Sequence, residues 1–202
     1  MKQILLINSS INGDKGHSVQ LARQFIAALP EGSFTVDTLD LNATPVPHLE
    51  MAEMAAWMTP AAQRSIAQQQ LAAISDDIIE RIKAADVIIV GVPMYNFGVP
   101  SQLKALLDRV ARAGITFKYT EQGPVGLLDD KPVVIFATRG GVYQGTGLDS
   151  QTPFLQTFFN FVGLKDLHFV YAEGLNMGTD AQQAALTAAS ARLVQISANI
   201  AA

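Results

Sequence analysis

Residues 87 to 104 read Val-Ile-Ile-Val-Gly-Val-Pro-Met-Tyr-Asn-Phe-Gly-Val-Pro-Ser-Gln-Leu-Lys, and they decide the fold. The run Val87 to Val92 is short, aliphatic and β-branched, as in a strand buried on both faces. It stops at Pro93, a loop of Met94, Tyr95, Asn96 and Phe97 follows, and Pro100 opens a helix at once. A doubly buried strand belongs in a parallel sheet, and ligands of open parallel sheets sit just beyond the carboxyl ends of the strands. Aromatic and amide side chains held there between two prolines suit a flat, apolar ring with polar edges, which is the shape of a flavin.

The start of the chain supplies a second half-site. Gln3 to Asn8 is mostly aliphatic and runs into Ser9-Ser10-Ile11-Asn12-Gly13-Asp14-Lys15-Gly16-His17-Ser18. A helix follows, with Val19, Leu21, Ala22, Phe25, Ile26 and Leu29 on its apolar face and Pro30 ending it. A Ser/Gly loop entering a helix N-terminus gathers free backbone N–H groups at the positive end of the helix dipole, so it suits a phosphate. Ser10 and Ser18 can add hydroxyl donors, and His17 reads as a loop donor near phosphate. The plainer account makes Ser18 a helix N-cap and Ser9-Ser10 a turn. The aromatic-amide loop facing it favours the phosphate.

Working outward, five strand candidates alternate with helices: Gln3–Asn8, Phe34–Leu39, Val87–Val92, Val133–Thr138 and Leu167–Ala172. The alternation in Phe34, Val36 and Thr38 puts the second at an edge, and the others are aliphatic enough to be internal. Thr59-Pro60 reads as a helix start, with Leu71, Ile74, Ile78, Ile82 and Ala85 at helical spacing after it. Gly114 reads as the end of the helix that Pro100 opens. Thr152-Pro153 opens another that Gly163 ends, and Thr179-Asp180 opens an alanine-rich last one. The alternation predicts an α/β, three-layer sandwich, with a five-stranded parallel sheet in the flavodoxin-like order 2-1-3-4-5 and helices on both faces. Its switch point lies between the first and third strands, whose loops are the two half-sites. The whole chain, 1–202, reads as one domain.

Two segments exceed ordinary loop lengths: Asn42 to Met58, with Met51, Met54, Trp57 and Met58, and Ile115 to Asp130, with Phe117, Tyr119 and a Gln122-Gly123-Pro124 turn. Such insertions are more often lids or contacts than decoration, although methionines at helical spacing also suit a core. Thr138-Arg139-Gly140-Gly141 follows the fourth strand at the same sheet end, where paired glycines let backbone N–H groups approach a planar ligand or simply make a turn. Tyr119 and Phe161 have either a core or a pocket reading. Gly145-Thr146-Gly147-Leu148-Asp149-Ser150 is no dinucleotide fingerprint: it lacks the last glycine and begins too far after the strand.

Composition excludes several classes. With 49% hydrophobic and 16% charged residues, much of the monomer surface is apolar, which points to an oligomer. The net charge of −4, without a Lys/Arg cluster, argues against nucleic acid. There is no cysteine for a disulfide or catalytic thiol, and His17, His48 and His168 are too dispersed for a metal site. Neither a signal peptide nor a membrane span is visible, so a cytoplasmic location is expected.

The motifs Asn8-Ser9-Ser10-Ile11, Pro93-Met94-Tyr95-Asn96-Phe97, Val110-Ala111-Arg112-Ala113-Gly114-Ile115-Thr116-Phe117 and Thr138-Arg139-Gly140-Gly141 carry a family resemblance. On them the chain resembles, nearly end to end, the bacterial FMN-dependent NADH:quinone oxidoreductases, the azoreductase family. Phe97 to Lys104 is similar also to the mammalian two-electron quinone reductases. The Met-Tyr-Asn-Phe loop is the most specific element. The resemblance implies FMN held by Ser10, Gly16, His17, Ser18, Met94, Tyr95, Asn96, Phe97, Thr138, Arg139, Gly140 and Gly141. It implies a homodimer with the flavin at the interface, NADH as hydride donor, and quinones and azo dyes as acceptors. Asn96, Tyr119, Phe161 and Trp57 are the substrate-pocket candidates.

One ligand site and no second nucleotide domain imply that NADH and acceptor take turns, a ping-pong scheme in which a quinone needs one reducing pass and an azo bond two. The redox chemistry belongs to the cofactor, and no protein acid or base is required. The rival is a flavodoxin-type carrier of single electrons, against which stand the aromatic insertions. A flavin-free regulator of the same fold would need an acidic cluster where the chain has Asn8-Ser9.

Overall fold

A computed structural model describes residues 1–201. Along the chain run β1 (Lys2–Asn8), α1 (His17–Ala27), β2 (Phe34–Asp40), α2 (Met51–Met58), α3 (Ile66–Ala84), β3 (Val87–Pro93) and α4 (Ser101–Val110). After them come β4 (Phe117–Thr120), β5 (Gly123–Gly126), β6 (Val133–Thr138), α5 (Gln151–Val162), β7 (Leu167–Ala172) and α6 (Thr179–Ala201). The main sheet is parallel throughout in the order β2-β1-β3-β6-β7, which is 2-1-3-4-5 counting its own strands. The fold is the flavodoxin-like α/β architecture that the strand pattern predicts.

Every residue of β3 and β6 is buried, which is why those segments read as unbroken aliphatic runs. One face of the sheet packs on α3, α4 and α5 through Leu5, Ile88, Val90, Leu106, Ile135 and Leu155. The other packs on α1 and α6 through Ile4, Leu21, Phe25, Ile89, Phe136 and Leu193. Connections from β1 and β3 leave to opposite faces, so a crevice opens between them at the carboxyl ends of the strands. The strand β7 is an edge, not internal: Leu167, Phe169 and Tyr171 are only partly covered, and aliphatic content alone does not separate an edge from a centre.

Three helix ends fall elsewhere than expected. Thr59-Pro60 closes α2 instead of opening α3: the Thr59 amide and hydroxyl both donate to the Ala55 carbonyl, at 3.2 and 2.9 Å, and proline follows a helix end as readily as it begins one. The helix α3 starts after Ser65, whose hydroxyl accepts from the Gln68 amide while the Gln68 side chain accepts from the Ser65 amide. The helix α4 ends at Val110, short of Gly114, because the Thr116 hydroxyl takes the Val110 carbonyl and also accepts from the Arg112 amide at 2.9 Å. Finally, α5 begins at Gln151, ahead of Thr152-Pro153, with the Asp149 carboxylate accepting from the Thr152 amide.

Both insertions are ordered. The first contains α2, anchored by a buried ion pair between Glu53 and Arg109, whose guanidinium also donates to the Pro47 carbonyl at 2.9 Å. Met51 and Met58 remain 76% and 83% exposed, so they are surface and not core. The second insertion is the β4–β5 hairpin, seated where Gly126 meets the Gly163 backbone at the carboxyl end of α5. Among the described residues no helix is long and apolar enough to cross a membrane.

Candidate functional site

The crevice has a phosphate-sized end at α1. Gly16 is the N-cap, and no side chain caps the helix. The capping account of Ser18 therefore fails, since its hydroxyl is fully buried beyond the cap and has no partner among the described residues. Among the described residues the amides of His17, Ser18 and Val19 also donate to no protein acceptor, as the geometry of a first helical turn dictates. His17 turns Nδ1 inward without a partner and lies 3.5 Å from Gln182 through Nε2. The three free amides lie at the positive end of α1, and the Ser18 hydroxyl sits beside them against Gly91 of β3. Gly16 is required by close approach: a Cβ there would lie 2.3 Å from the Ser10 hydroxyl oxygen and 2.8 Å from Ser10 Cβ. Ser10 is itself buried, and its hydroxyl lies 3.5 Å from that of Tyr95, linking this end of the crevice to the next.

At the ring-sized end, Tyr95 and Gly98 exchange backbone hydrogen bonds of 3.2 and 3.0 Å around a two-residue turn. Asn96 and Phe97 occupy its centre with φ of +49° and +66°. Asparagine tolerates this left-handed conformation, but phenylalanine there costs about 1–2 kcal/mol. The start of α5 offsets that cost. Gln151, 1% exposed, donates to the Pro93 carbonyl at 3.1 Å and the Gly98 carbonyl at 3.3 Å, and the Ser150 hydroxyl donates to the Phe97 carbonyl. The result is a braced loop that presents the Asn96 side chain and a half-exposed Phe97 ring.

Opposite this loop, Met94 donates to the Thr138 carbonyl at 2.8 Å, and Gly140 and Gly141 form the facing wall. Cβ atoms at Gly140 and Gly141 would lie 2.6 Å from the Asn176 side-chain nitrogen and from the Tyr143 hydroxyl, so both positions sit under side chains that line the crevice. The Tyr143 ring packs edge-on against Phe97 at 5.5 Å and joins the two walls. Together they enclose a cavity of about 460 Å³. A second, more apolar cavity of similar volume reaches Gly98 from the α4 and α5 side, lined by Val99, Lys104, Phe154 and His48. It contains no part of the glycine wall, so the first cavity is the ring-sized part of the site.

Arg139 works differently from its neighbours. Its fully buried guanidinium faces away from the cavity, to Asp149 at 2.8 Å and Glu173 at 3.0 Å, over the Tyr171 ring. Burial pushes the Asp149 carboxyl up, but hydrogen bonds from Thr152 and Arg139 outweigh it and leave its pKa below the ordinary carboxylate value. Burial raises the Tyr171 phenol.

Of the expected residues, Met94, Asn96, Phe97, Gly140 and Gly141 line the cavity, Tyr95 joins it to Ser10 and so to Gly16 at the start of α1 beside His17 and Ser18, the Thr138 carbonyl is tied to Met94, and Arg139 alone turns its side chain away. Trp57, Tyr119 and Phe161 do not join Asn96 in the same chain. Trp57 lies over the Arg112 guanidinium at 5.1 Å, while Tyr119 and Phe161 flank Phe117 on the hairpin. That hairpin sits roughly 17 Å along α5 from Gln151, at 1.5 Å rise per residue. Sequence reasoning missed Tyr143, Gln151, Glu173 and Asn176. The last two follow a strand ending at the same sheet edge, a rule that was available. Gln151 carried no signal beyond its place at a helix start.

A sequence model described as a flavodoxin-like fold matches residues 2–196. The chain is 51% identical over 197 residues to the FMN-dependent NADH:quinone oxidoreductase of Alteromonas mediterranea, covering 97% of this chain and 98% of the relative. It is 54% identical over 182 residues to the protein of that name from Cellvibrio japonicus, covering 88% and 90%. Among solved structures, the FMN-dependent NADH-azoreductase from Bacillus anthracis in complex with FMN is similar over 100% of both chains, with a TM-score of 0.89 at 25% identity.

Proposed function

Because the chain belongs to the family of FMN-dependent NADH:quinone oxidoreductases, within the flavodoxin-like fold, we propose that it is an enzyme that takes hydride from NADH and reduces quinones by two electrons and azo compounds to amines. The observation that carries this reading is the set of unsatisfied donors around the crevice: the α1 amides and the Ser18 hydroxyl at one end, the Gly140 and Gly141 amides at the other. They fit FMN, which has one phosphate and one ring with polar edges. A second phosphate, as in FAD, finds no further helix N-terminus in this loop.

Bound FMN supplies the hydride chemistry. The amides of His17 to Val19 and the Ser18 hydroxyl would hold the phosphate, Ser10 would shape its pocket, and Tyr95 would supply ring surface for packing. Asn96 and the glycine amides would hydrogen-bond the polar edges of the ring. Phe97 and Tyr143, packed edge-on, would offer apolar surface beside it. We assign no residue as a general acid or base. With one ligand crevice and no second nucleotide domain, NADH and acceptor would take turns at the flavin.

We further propose a homodimer, with residues 1–202 of each copy forming one FMN-binding domain, in the cytoplasm. Tyr119, Phe161 and Trp57 do not reach Asn96 within their own chain, so a pocket containing any of them with Asn96 needs a second copy. Exposed Phe97, Val142 and Leu148, at 50%, 60% and 59%, are apolar surface on the crevice loops for such a copy to cover.

The test is steady-state kinetics of the purified yellow protein with NADH and a benzoquinone, alongside its sedimentation. Parallel double-reciprocal lines, one FMN per chain and a dimer are expected. Intersecting lines, bound FAD or a fully active monomer would each overturn the corresponding part.

A further inference from the structure

We propose that Glu173, in the loop after β7, is a positioning residue that sets the reduction potential of the bound cofactor by aiming the amides of Gly140, Gly141 and Val142. The inference rests on the functional reading above and adds to it a second loop and a stated direction of effect.

In a trans peptide the carbonyl of one residue and the N–H of the next point in opposite directions. The Arg139 carbonyl accepts from the Leu175 amide at 3.1 Å, the Gly140 carbonyl from Asn176 at 3.0 Å, and the Gly141 carbonyl from Gly174 at 2.9 Å. Three successive carbonyls are therefore pinned to the 174–176 segment. Three successive N–H groups, of Gly140, Gly141 and Val142, must point away from it, and none donates to a protein acceptor among the described residues. The next two amides reverse: Tyr143 and Gln144 both donate, at 2.9 Å each, to one oxygen of the Glu173 carboxylate. That oxygen also accepts from Arg139 at 3.0 Å.

Glu173 thereby ends the outward array and fixes the chain's turn. Its side chain is 11% exposed, and the fully buried Arg139 guanidinium beside it, which is shared with Asp149, offsets part of its charge. Reach, more than charge, is what the geometry uses. Successive amides aimed at one region favour negative charge there, and they do so without reorganising when that charge develops. Reduction places added electron density on the ring edge facing them, so an intact array raises the potential. A disordered one lowers it.

The experiment measures the two-electron midpoint potential of bound FMN by spectroelectrochemistry, and the affinity for oxidised FMN by fluorescence quenching, in the wild type, Glu173→Asp, Glu173→Gln and Glu173→Ala. Aspartate keeps the charge but is one methylene too short to hold both amides; glutamine keeps the reach and an acceptor oxygen without the charge. Glu173→Asp and Glu173→Ala should weaken binding of reduced relative to oxidised FMN about five- to tenfold, a fall of about 20–30 mV for a two-electron couple. Glu173→Gln should stay within roughly twofold of the wild type on the same scale. If Glu173→Ala does not fold, the Asp and Gln pair decides alone. A shift confined to Glu173→Gln, equal shifts in both, or no shift in either overturns the proposal. A wild-type chain that takes up no FMN overturns the functional reading together with it, whereas ordinary FMN binding with any of the wrong patterns overturns this inference only.

Discussion

The two ends of the crevice are built on different plans. The phosphate end is local: Ser10 to Val19 is one stretch of chain, its amides are free because every helix begins that way, and its backbone carries no strain at Gly16, where φ is −70°. The ring end is assembled at a distance. Its turn has two non-glycine residues at positive φ, braced by Ser150 and Gln151, and its glycine wall hangs from residues 173–176. A local site needs only the right residues in order. An assembled site needs each brace as well, and so it is the more sensitive to changes that never touch the ligand.

The largest effect expected on cofactor affinity lies at the local end and is steric. Gly16→Ala places a methyl group 2.3 Å from the Ser10 hydroxyl oxygen and 2.8 Å from its Cβ, in a backbone conformation that alanine otherwise accepts. Overpacking of this kind costs about 1–3 kcal/mol, so displacement of Ser10 and of the first helical turn should weaken FMN binding by roughly ten- to a hundredfold. Ser10→Gly in the same chain removes the obstructing atoms and should recover most of the loss. Isothermal titration of FMN into both apo-variants checks this; a single variant that binds as the wild type does, or a double variant no better than the single, breaks the local account.

The same contrast explains what was legible. The strands Val87–Val92 and Val133–Thr138 declared themselves because burial on both faces leaves no polar alternation, and the sheet order followed from alternation with helices. The Ser10–Ser18 loop declared itself because strand, loop and helix start are contiguous. Helix ends were less readable: Thr59-Pro60 serves a C-terminus and an N-terminus equally well. Gln151 and Glu173 were silent because their role is a hydrogen bond to backbone 53 to 58 and 29 to 30 residues away, which no short window of sequence contains. Arg139 sat inside a legible motif, yet its side chain serves the brace and not the cavity.

A smaller effect, the difference between two variants of the braced turn, sharpens its description. Tyr95 offers ring surface worth about 1.5–3 kcal/mol when buried by a ligand, against about 0.5–1.5 kcal/mol for one neutral hydrogen bond from Asn96. Tyr95→Ala should lose more FMN affinity than Asn96→Ala. Asn96→Ala should instead retain most of its FMN and change the rate of flavin reduction by NADH in stopped-flow. The reverse ranking of dissociation constants would mean that polar contacts hold the ring.

The smallest effect separates the ends by pH. The Asp149 carboxyl is buried against Arg139, and hydrogen bonds hold its pKa below that of the unfolded chain. A depressed folded-state pKa contributes stability that is fully present above the unfolded value, about 3.9, and is lost as pH falls through the folded one. Asp37 and Asp130 are depressed likewise, the first chiefly by hydrogen bonding to Arg81 and the second by the Lys165 amide, so the total stability of the protein falls in acid for several reasons. The difference between the wild type and Asp149→Asn isolates the ring-end brace. Asparagine still accepts from the Thr152 amide, so the variant should lose only the charged part of the contact with Arg139. Urea midpoints should differ by a constant amount from pH 7 to about 5 and converge as pH drops below about 4. If the gap persists undiminished at pH 3, the brace owes its strength to shape and neutral hydrogen bonds, and the ring end is then no more dependent on charge than the helix start that faces it.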